Sequence, residues 1–292
     1  MKRLLLAFLC LVFLCGCSAP APESVPTEPA PTQIATQPSP TTIPTEEPTV
    51  ITEPPSTEPP LPVGWFEEEG IHYYRLEDGS LAKGMVTIDG IDQYFTSTGA
   101  HFLLVNPWNF LPSNYETELV QLSAAVGSST CYVDVSCHDA LSQMVRDCNR
   151  NTDAIVFVVS AYRSIERQED LFQQRVNKNL AQGYDEETAY AKAATAVAVP
   201  GTSEHHTGLA VDIIDTEIWS LVQGQENLEG QKWLMENCWK YGFILRYPAD
   251  KEEITGIIYE PWHYRYVGLE MAAELHELGM TLEEYFAYLT IE

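Results

Sequence analysis

The chain is poor in positive charge. Lys and Arg number 16 against 42 Asp and Glu, a formal net charge of −26 at pH 7. Phosphate backbones are bound by clustered cations, so this balance excludes nucleic acid as a partner. Long apolar runs are also missing: the longest stretch of interest, Leu4 to Leu14, falls well short of the ~20 residues a membrane-spanning helix needs. Proline is scarce where folding is expected, because 14 of the 19 lie between Ser18 and Pro62. No Cys-x-x-Cys pair occurs, which argues against a zinc knuckle. Apolar residues, by contrast, make up 45% and aromatics 11%. That is ample for a core and excludes a wholly disordered or fibrous chain.

Met1-Lys2-Arg3 and the apolar run behind it read as an export signal. The run ends in Leu14-Cys15-Gly16-Cys17, which resembles the lipobox of bacterial lipoproteins, with Cys15 where that box usually has Ala, Ser or Thr. The resemblance implies a signal peptide over 1–16, lipidation of Cys17, and an anchor on the extracytoplasmic face of the bacterial membrane. Residues 17–62 are rich in Pro, Thr, Ser and Glu and contain no Lys or Arg. They cannot bury a core and are expected to form an extended stalk reaching into the cell wall, at ~3.1 Å per residue where polyproline-like. Cys131, Cys137, Cys148 and Cys238 remain beyond it. Disulfides and buried thiols are both compatible with their number and spacing.

Residues 63–102 carry an internal period. Gly70, Ile71, Tyr74 and Gly79 recur 20 residues later as Gly90, Ile91, Tyr94 and Gly99. The unit reads as a β-hairpin with a strand at His72 to Arg75, a turn at Asp78-Gly79, and a second strand from Leu81 to Val86. With Trp65 and Phe66 in front, it resembles the cell-wall-binding repeat of choline-binding proteins. Fewer than two full copies are present, and repeat arrays need about three to bury a shared face. A small β cap packed on the next domain therefore competes with wall binding.

Farther along, helices and strands alternate. His138 to Asn149 has helical spacing through Leu141, Met144, Val145 and Cys148. Ala154 to Val159 reads as a buried strand delivering Ser160-Ala161-Tyr162-Arg163-Ser164, with helices expected over Ile165 to Gln182 and Glu186 to Val197. After a loop at Pro200 to Ser203, a strand from Leu209 puts Leu209, Val211 and Ile213 on one face and Ala210 with Asp212 on the other. A β-rich stretch, Ile254 to Tyr259, precedes Glu260-Pro261-Trp262-His263. Met271, Leu275 and Leu278 are expected in the core face of a terminal helix, and Glu252 and Glu253 in a solvated turn.

His205, Asp212 and His263 supply two imidazoles and a carboxylate, which suits a zinc ion with its fourth position open to water. Glu260 is placed to act as the base. His206 is expected at the surface or a pocket rim, since adjacent side chains diverge in a turn. Together, Ser203, His205, Gly208, Ala210 and Asp212 and the distal Glu260, Trp262 and His263 closely resemble the zinc D-alanyl-D-alanine carboxypeptidases of the VanY type, over about Leu119 to Tyr266. The resemblance extends to Gln168 to Phe172, Gly242-Phe243 and Arg246-Tyr247-Pro248.

It implies an α+β zinc DD-peptidase (hedgehog/DD-peptidase-like) domain over 103–292, with a small antiparallel sheet and flanking helices. It further implies Zn2+ as cofactor on His205, Asp212 and His263, Glu260 as general base, and Arg163 at the oxyanion or the substrate carboxylate. Ser203, Tyr162, Gln168, Trp262 and Tyr247 are expected around the substrate, the last two aromatics as pocket walls. The expected reaction removes a C-terminal D-alanine from peptidoglycan stem peptides, by a monomeric enzyme. An L,D-carboxypeptidase acting on tetrapeptide stems, or a non-catalytic wall adhesin using residues 63–102, are the alternatives.

Overall fold

The structure, a computed structural model, describes residues 61–291. The expected signal peptide, Cys17 and nearly all of the stalk lie outside the described residues. Among the described residues, no helix is long and apolar enough to cross a membrane.

Two hairpins open the described chain. β1 (Gly64–Glu68) pairs with β2 (Ile71–Arg75), and β3 (Gly84–Ile88) with β4 (Ile91–Phe95), which in turn pairs with the short β5 (His101–Phe102). The period of 20 residues is real, but the strands fall in a different phase from the expected one. Each hairpin turns at an acidic residue followed by glycine, Glu69-Gly70 and Asp89-Gly90, with positive φ at all four residues. Such a pair matches the right-handed twist of the flanking strands. Asp78-Gly79 instead closes a turn after β2, where Leu81 makes only an isolated bridge to Arg75. The second hairpin meets the C-terminal helix closely. The ring of Tyr94 and that of Phe102 each lie 5.2 Å from Phe286, and Met85 N donates to Thr290 Oγ1 at 2.8 Å.

β6 (Leu119–Gln121) and β7 (Tyr132–Asp134) form a small ribbon leading into α1 (Val135–Asn151). The helix begins three residues before the apolar periodicity because Asp134 caps it, accepting from Ser136 N. Leu141, Met144, Val145 and Cys148 are fully buried on its inner face, each apolar side chain worth about 1.5–3 kcal/mol of burial. β8 (Val156–Ser160) follows, then α2 (Ile165–Ala181), capped by Ser164, and α3 (Glu186–Ala194), capped by Asp185.

The chain next forms β9 (Ala210–Asp215), α4 (Glu229–Asn237), β10 (Phe243–Leu245), a one-turn α5 (Glu252–Thr255), β11 (His263–Tyr266), α6 (Leu269–Leu278) and α7 (Leu282–Ile291). The antiparallel sheet has the order β10-β11-β9-β8. As expected from alternation, Val211 and Ile213 point into a core shared with Val156, Val158, Tyr264 and α1, and Leu209 packs on its edge. The four cysteines of the described residues are buried free thiols.

Ile254 to Tyr259 is not a strand. Gly256, at φ 74°, ends α5 with its N–H on Glu252 O, and Ile257 and Ile258 then run as irregular chain, Ile258 N donating to Thr195 O. Glu252 and Glu253 are exposed, as expected. Leu278 is 44% exposed rather than core, because Gly279 ends α6 at that turn and α7 covers only the earlier apolar positions.

Candidate active site

Sheet register does much of the assembly. His263 on β11 pairs directly with Asp212 on β9. On the other side of β9, a bulge between Val158 and Ser160 puts Ser160 opposite Asp212, the kind of irregularity that re-aims a side chain near a site. His205 arrives from a short 3-10 turn, Glu204–Thr207, which ends at Gly208 with φ 74°. A Cβ at Gly208 would lie 2.9 Å from Asp134 N, so only glycine lets the turn pack against β7 and lead into β9.

The three side chains converge. His205 Nε2 is 3.3 Å from Asp212 Oδ2, and His263 Nδ1 is 3.2 Å from Asp212 Oδ1. One ligand atom from each residue lies within 4.8 Å of the others. Neighbouring ligands around a tetrahedral zinc with bonds of ~2.0–2.2 Å sit roughly 3.3–3.6 Å apart. Asp212 Oδ1 is buried without a hydrogen-bond partner, as an atom reserved for a cation would be. The donor set therefore fits zinc.

Hydrogen bonds fix the ring that faces the centre. His205 Nδ1 lies 2.7 Å from Ala161 O. A carbonyl only accepts, so Nδ1 carries the proton and Nε2 keeps its lone pair toward Asp212. Burial, helped by Arg163, pushes His205 well below the usual imidazole range, which favours the neutral ligand form. For His263 burial works the same way but is outweighed by Asp212 and Glu204, so its proton is held more tightly. Asp212 stays ionised despite burial because both imidazoles face it.

Glu260 and His263 come from one β-turn, with His263 N donating to Glu260 O and Pro261 in the second position, where its fixed φ belongs. The turn leaves Glu260 Oε2 3.6 Å from His263 Nδ1. Burial pushes the Glu260 carboxyl up to about 8, with His263 opposing and Asp212 reinforcing the rise. A carboxylate so placed takes up a proton readily. Arg163 completes the group. Its Nη1 donates to Gln168 Oε1 at 2.7 Å, its Nη2 to Ser160 Oγ at 2.8 Å, and Nη2 lies 3.5 Å from Asp212 Oδ2.

A cavity of about 590 Å3 opens over these residues, lined among others by Arg163, Ser203, Tyr247, Glu260 and Trp262. Two residues expected around the substrate are not in its lining. Gln168 is fully buried. Its amide oxygen accepts from Arg163 and its Nε2 donates to Ala198 O at 2.6 Å, so it braces Arg163 from behind the cavity lining. Tyr162 donates its N–H to Tyr132 O and stands outside the cavity wall. His206 is neither at the surface nor at the rim. It is 3% exposed, its Nδ1 lies 2.7 Å from Arg163 O, and its Nε2 accepts from Gly201 N at 3.2 Å. With both nitrogens engaged it cannot compete for the metal.

Beneath the centre lies a buried ionic cluster that the motif reading missed. Glu204 Oε1 accepts from Arg246 Nε at 2.8 Å and Arg265 Nη1 at 3.0 Å, while its Oε2 faces His263 Nε2 at 3.7 Å. Arg246 also grips Glu283 of α7 with two nitrogens. The position of Glu204, between Ser203 and His205 in a tight turn, was the available signal.

Comparison with known proteins decides the family. The family model described as D-alanyl-D-alanine carboxypeptidase, VanY, matches residues 130–269. A structure of the vancomycin resistance D,D-pentapeptidase VanY, a mutant from the VanB-type cassette in complex with Zn(II), is 42% identical, with a TM-score of 0.55, over 63% of this chain and 97% of that one. The chain belongs to the VanY family. Within that family, a D-alanyl-D-alanine carboxypeptidase of Enterococcus faecalis is 43% identical over 183 residues, 63% of this chain. The match spans 64% of that relative's own length. The structure of VanYB in complex with D-alanine-D-alanine is likewise 42% identical, with a TM-score of 0.57, over 63% of this chain and 96% of that one.

Proposed function

We propose that this VanY-family chain is a zinc carboxypeptidase that removes the C-terminal D-alanine from peptidoglycan stem peptides. The observation that carries the reading is the convergence of His205, Asp212 and His263 at ligand spacing, with Glu260 at their edge and a cavity above them. His205 Nε2, the Asp212 carboxylate and His263 Nδ1 would hold the ion. When bound, zinc supplies the positive charge that acidifies water toward a pKa of ~7 and polarises the scissile carbonyl.

The remaining work falls to the chain's own groups. Glu260 takes a proton from water on one carboxyl oxygen and returns it to the leaving amine, so one residue serves as base and then as acid. Arg163, held rigid by Gln168 and Ser160, meets negative charge building on the carbonyl oxygen with a group that needs no reorganisation. Ser203 offers its hydroxyl from the cavity wall, and Tyr247 and Trp262 enclose the peptide and exclude water.

The reading extends to the segment outside the described residues: a signal over 1–16, a lipid on Cys17, and a stalk over 17–62 that carries a monomeric catalytic domain away from the membrane into the wall. Its support is the lipobox-like string and the proline-rich composition. The 63–102 hairpins would then serve as a cap on the catalytic domain, as their contacts with α7 favour.

The test is incubation of purified, zinc-loaded protein with a synthetic pentapeptide ending in D-Ala-D-Ala and with the corresponding tetrapeptide, with products read by mass. Release of one alanine from the pentapeptide is expected. Release from the tetrapeptide alone would favour the L,D alternative, and release from neither would defeat the enzyme reading.

A further inference from the structure

The cavity does not stop at the catalytic residues. It runs along one face of α2, where Leu171, Arg175 and Lys178 follow Gln168 at helical spacing. There it meets a second recess of about 240 Å3 that shares Arg175 and Lys178 and adds Lys192 from α3. Three of the 16 basic residues of a strongly acidic chain thus face one groove. Among the described residues, none of the three is paired with a carboxylate. Arg175 Nε is buried and has no hydrogen-bond partner. Lys192 Nζ sits 4.9 Å over the Tyr184 ring, a contact that leaves its charge uncompensated.

Distance along the helix says which part of a substrate could arrive there. Gln168 bonds Arg163 and so marks the reacting end. Arg175 and Lys178 lie about 10 and 15 Å farther along at ~1.5 Å per residue. The carboxylate of a leaving amino acid sits within ~4 Å of the scissile carbon and cannot span that gap. An extended peptide advancing ~3.3 Å per residue covers it in roughly three to five residues.

On this basis, and resting on the carboxypeptidase reading, we propose that Arg175, Lys178 and Lys192 form an anion subsite that binds an acidic side chain of the substrate on the acyl side, several residues before the cleaved bond. Long, cationic side chains clustered in a recess recognise a carboxylate by charge-assisted hydrogen bonds. The subsite would select acidic peptides and fix their register over the metal centre.

The experiment compares two peptides with the same D-Ala-D-Ala end, one with Glu and one with Gln three to five residues upstream, on the zinc-loaded full chain. Both carry the terminal carboxylate, so the difference isolates the upstream charge. Wild type is expected to show a kcat/KM roughly tenfold higher for the Glu peptide, expressed mainly in KM and shrinking as salt is raised. Lys178→Gln with Lys192→Gln should remove most of that preference and leave turnover of the Gln peptide unchanged, with Arg175→Gln acting in the same direction. Equal cleavage of the two peptides by wild type would overturn the subsite and leave the carboxypeptidase reading intact, since both are still cut. A preference that survives all three substitutions would place the recognition of the acidic side chain elsewhere, and would overturn it as well. Cleavage of neither peptide would instead count against the hydrolase itself.

Discussion

Replacing Glu204 by Gln should damage both the stability of the domain and its hold on zinc. The substitution keeps size and removes charge at a residue 1% exposed, whose partners Arg246 and Arg265 are 0% and 1% exposed. Arg246 would retain its two bonds to Glu283. Arg265 would keep only neutral acceptors, the new amide oxygen and the carbonyls of Leu103 and Tyr266, and so become a buried cation without a counter-charge. Breaking a buried pair from one side costs about 3–5 kcal/mol. At about 2–4 °C per kcal/mol for a domain of this size, the Tm falls by about 6–20 °C. The same carboxylate faces His263 Nε2, and loss of a group that orients a metal ligand typically weakens metal affinity about 10–100-fold. Thermal unfolding with and without zinc, and a competition titration against a chromophoric chelator, read the two effects separately. A variant that melts within 2 °C of wild type and binds zinc equally well would refute the role assigned to Glu204.

Glu260→Gln should retain zinc and lose turnover by about 10²–10⁴-fold; preserved activity would remove Glu260 from proton transfer. Arg163→Lys keeps the charge but cannot reach Gln168 and Ser160 together, so kcat should fall about 10²–10³-fold with zinc content unchanged by elemental analysis. Gln168→Leu should produce a smaller loss in kcat with little change in KM, because Gln168 orients Arg163 and stands outside the cavity; a loss confined to KM would restore it to direct substrate contact. Gly208→Ala forces a side chain into a left-handed position against β7, and should destabilise the domain by about 1–3 kcal/mol in denaturant unfolding.

The convergence of the candidate ligands was partly legible because Asp212 and His263 sit where local chain geometry is simple. Strand alternation alone points Asp212 away from Val211 and Ile213, and Pro261 fixes the turn that carries Glu260 and His263. What sequence could not supply was the partner of each polar group. Gln168 was expected around the substrate on the strength of the family resemblance, and its bond to Arg163 shows only once the chain is folded. His206 looked solvent-facing because neighbouring side chains diverge; they do diverge, but the chain on that side is Arg163 and Gly201, not water. Glu204 was overlooked since its partners lie about 40 and 60 residues away. The hairpin repeats gave their period and hid their phase, because the first copy holds two acidic residue and glycine pairs, Glu69-Gly70 and Asp78-Gly79, and the positive φ that the hairpin turn needs falls on both residues only of the first. Ile254 to Tyr259 has β-branched composition, but Gly256 and the bond from Ile258 to Thr195 commit it to the cavity wall.

The account stands on one zinc ion held by three side chains with a position left open. Anomalous diffraction collected above and below the zinc absorption edge, on crystals of protein never exposed to chelator, addresses this directly. The expected result is a single strong peak about 2.0–2.2 Å from His205 Nε2, an Asp212 carboxylate oxygen and His263 Nδ1. A peak elsewhere, or none between those three residues, would contradict it.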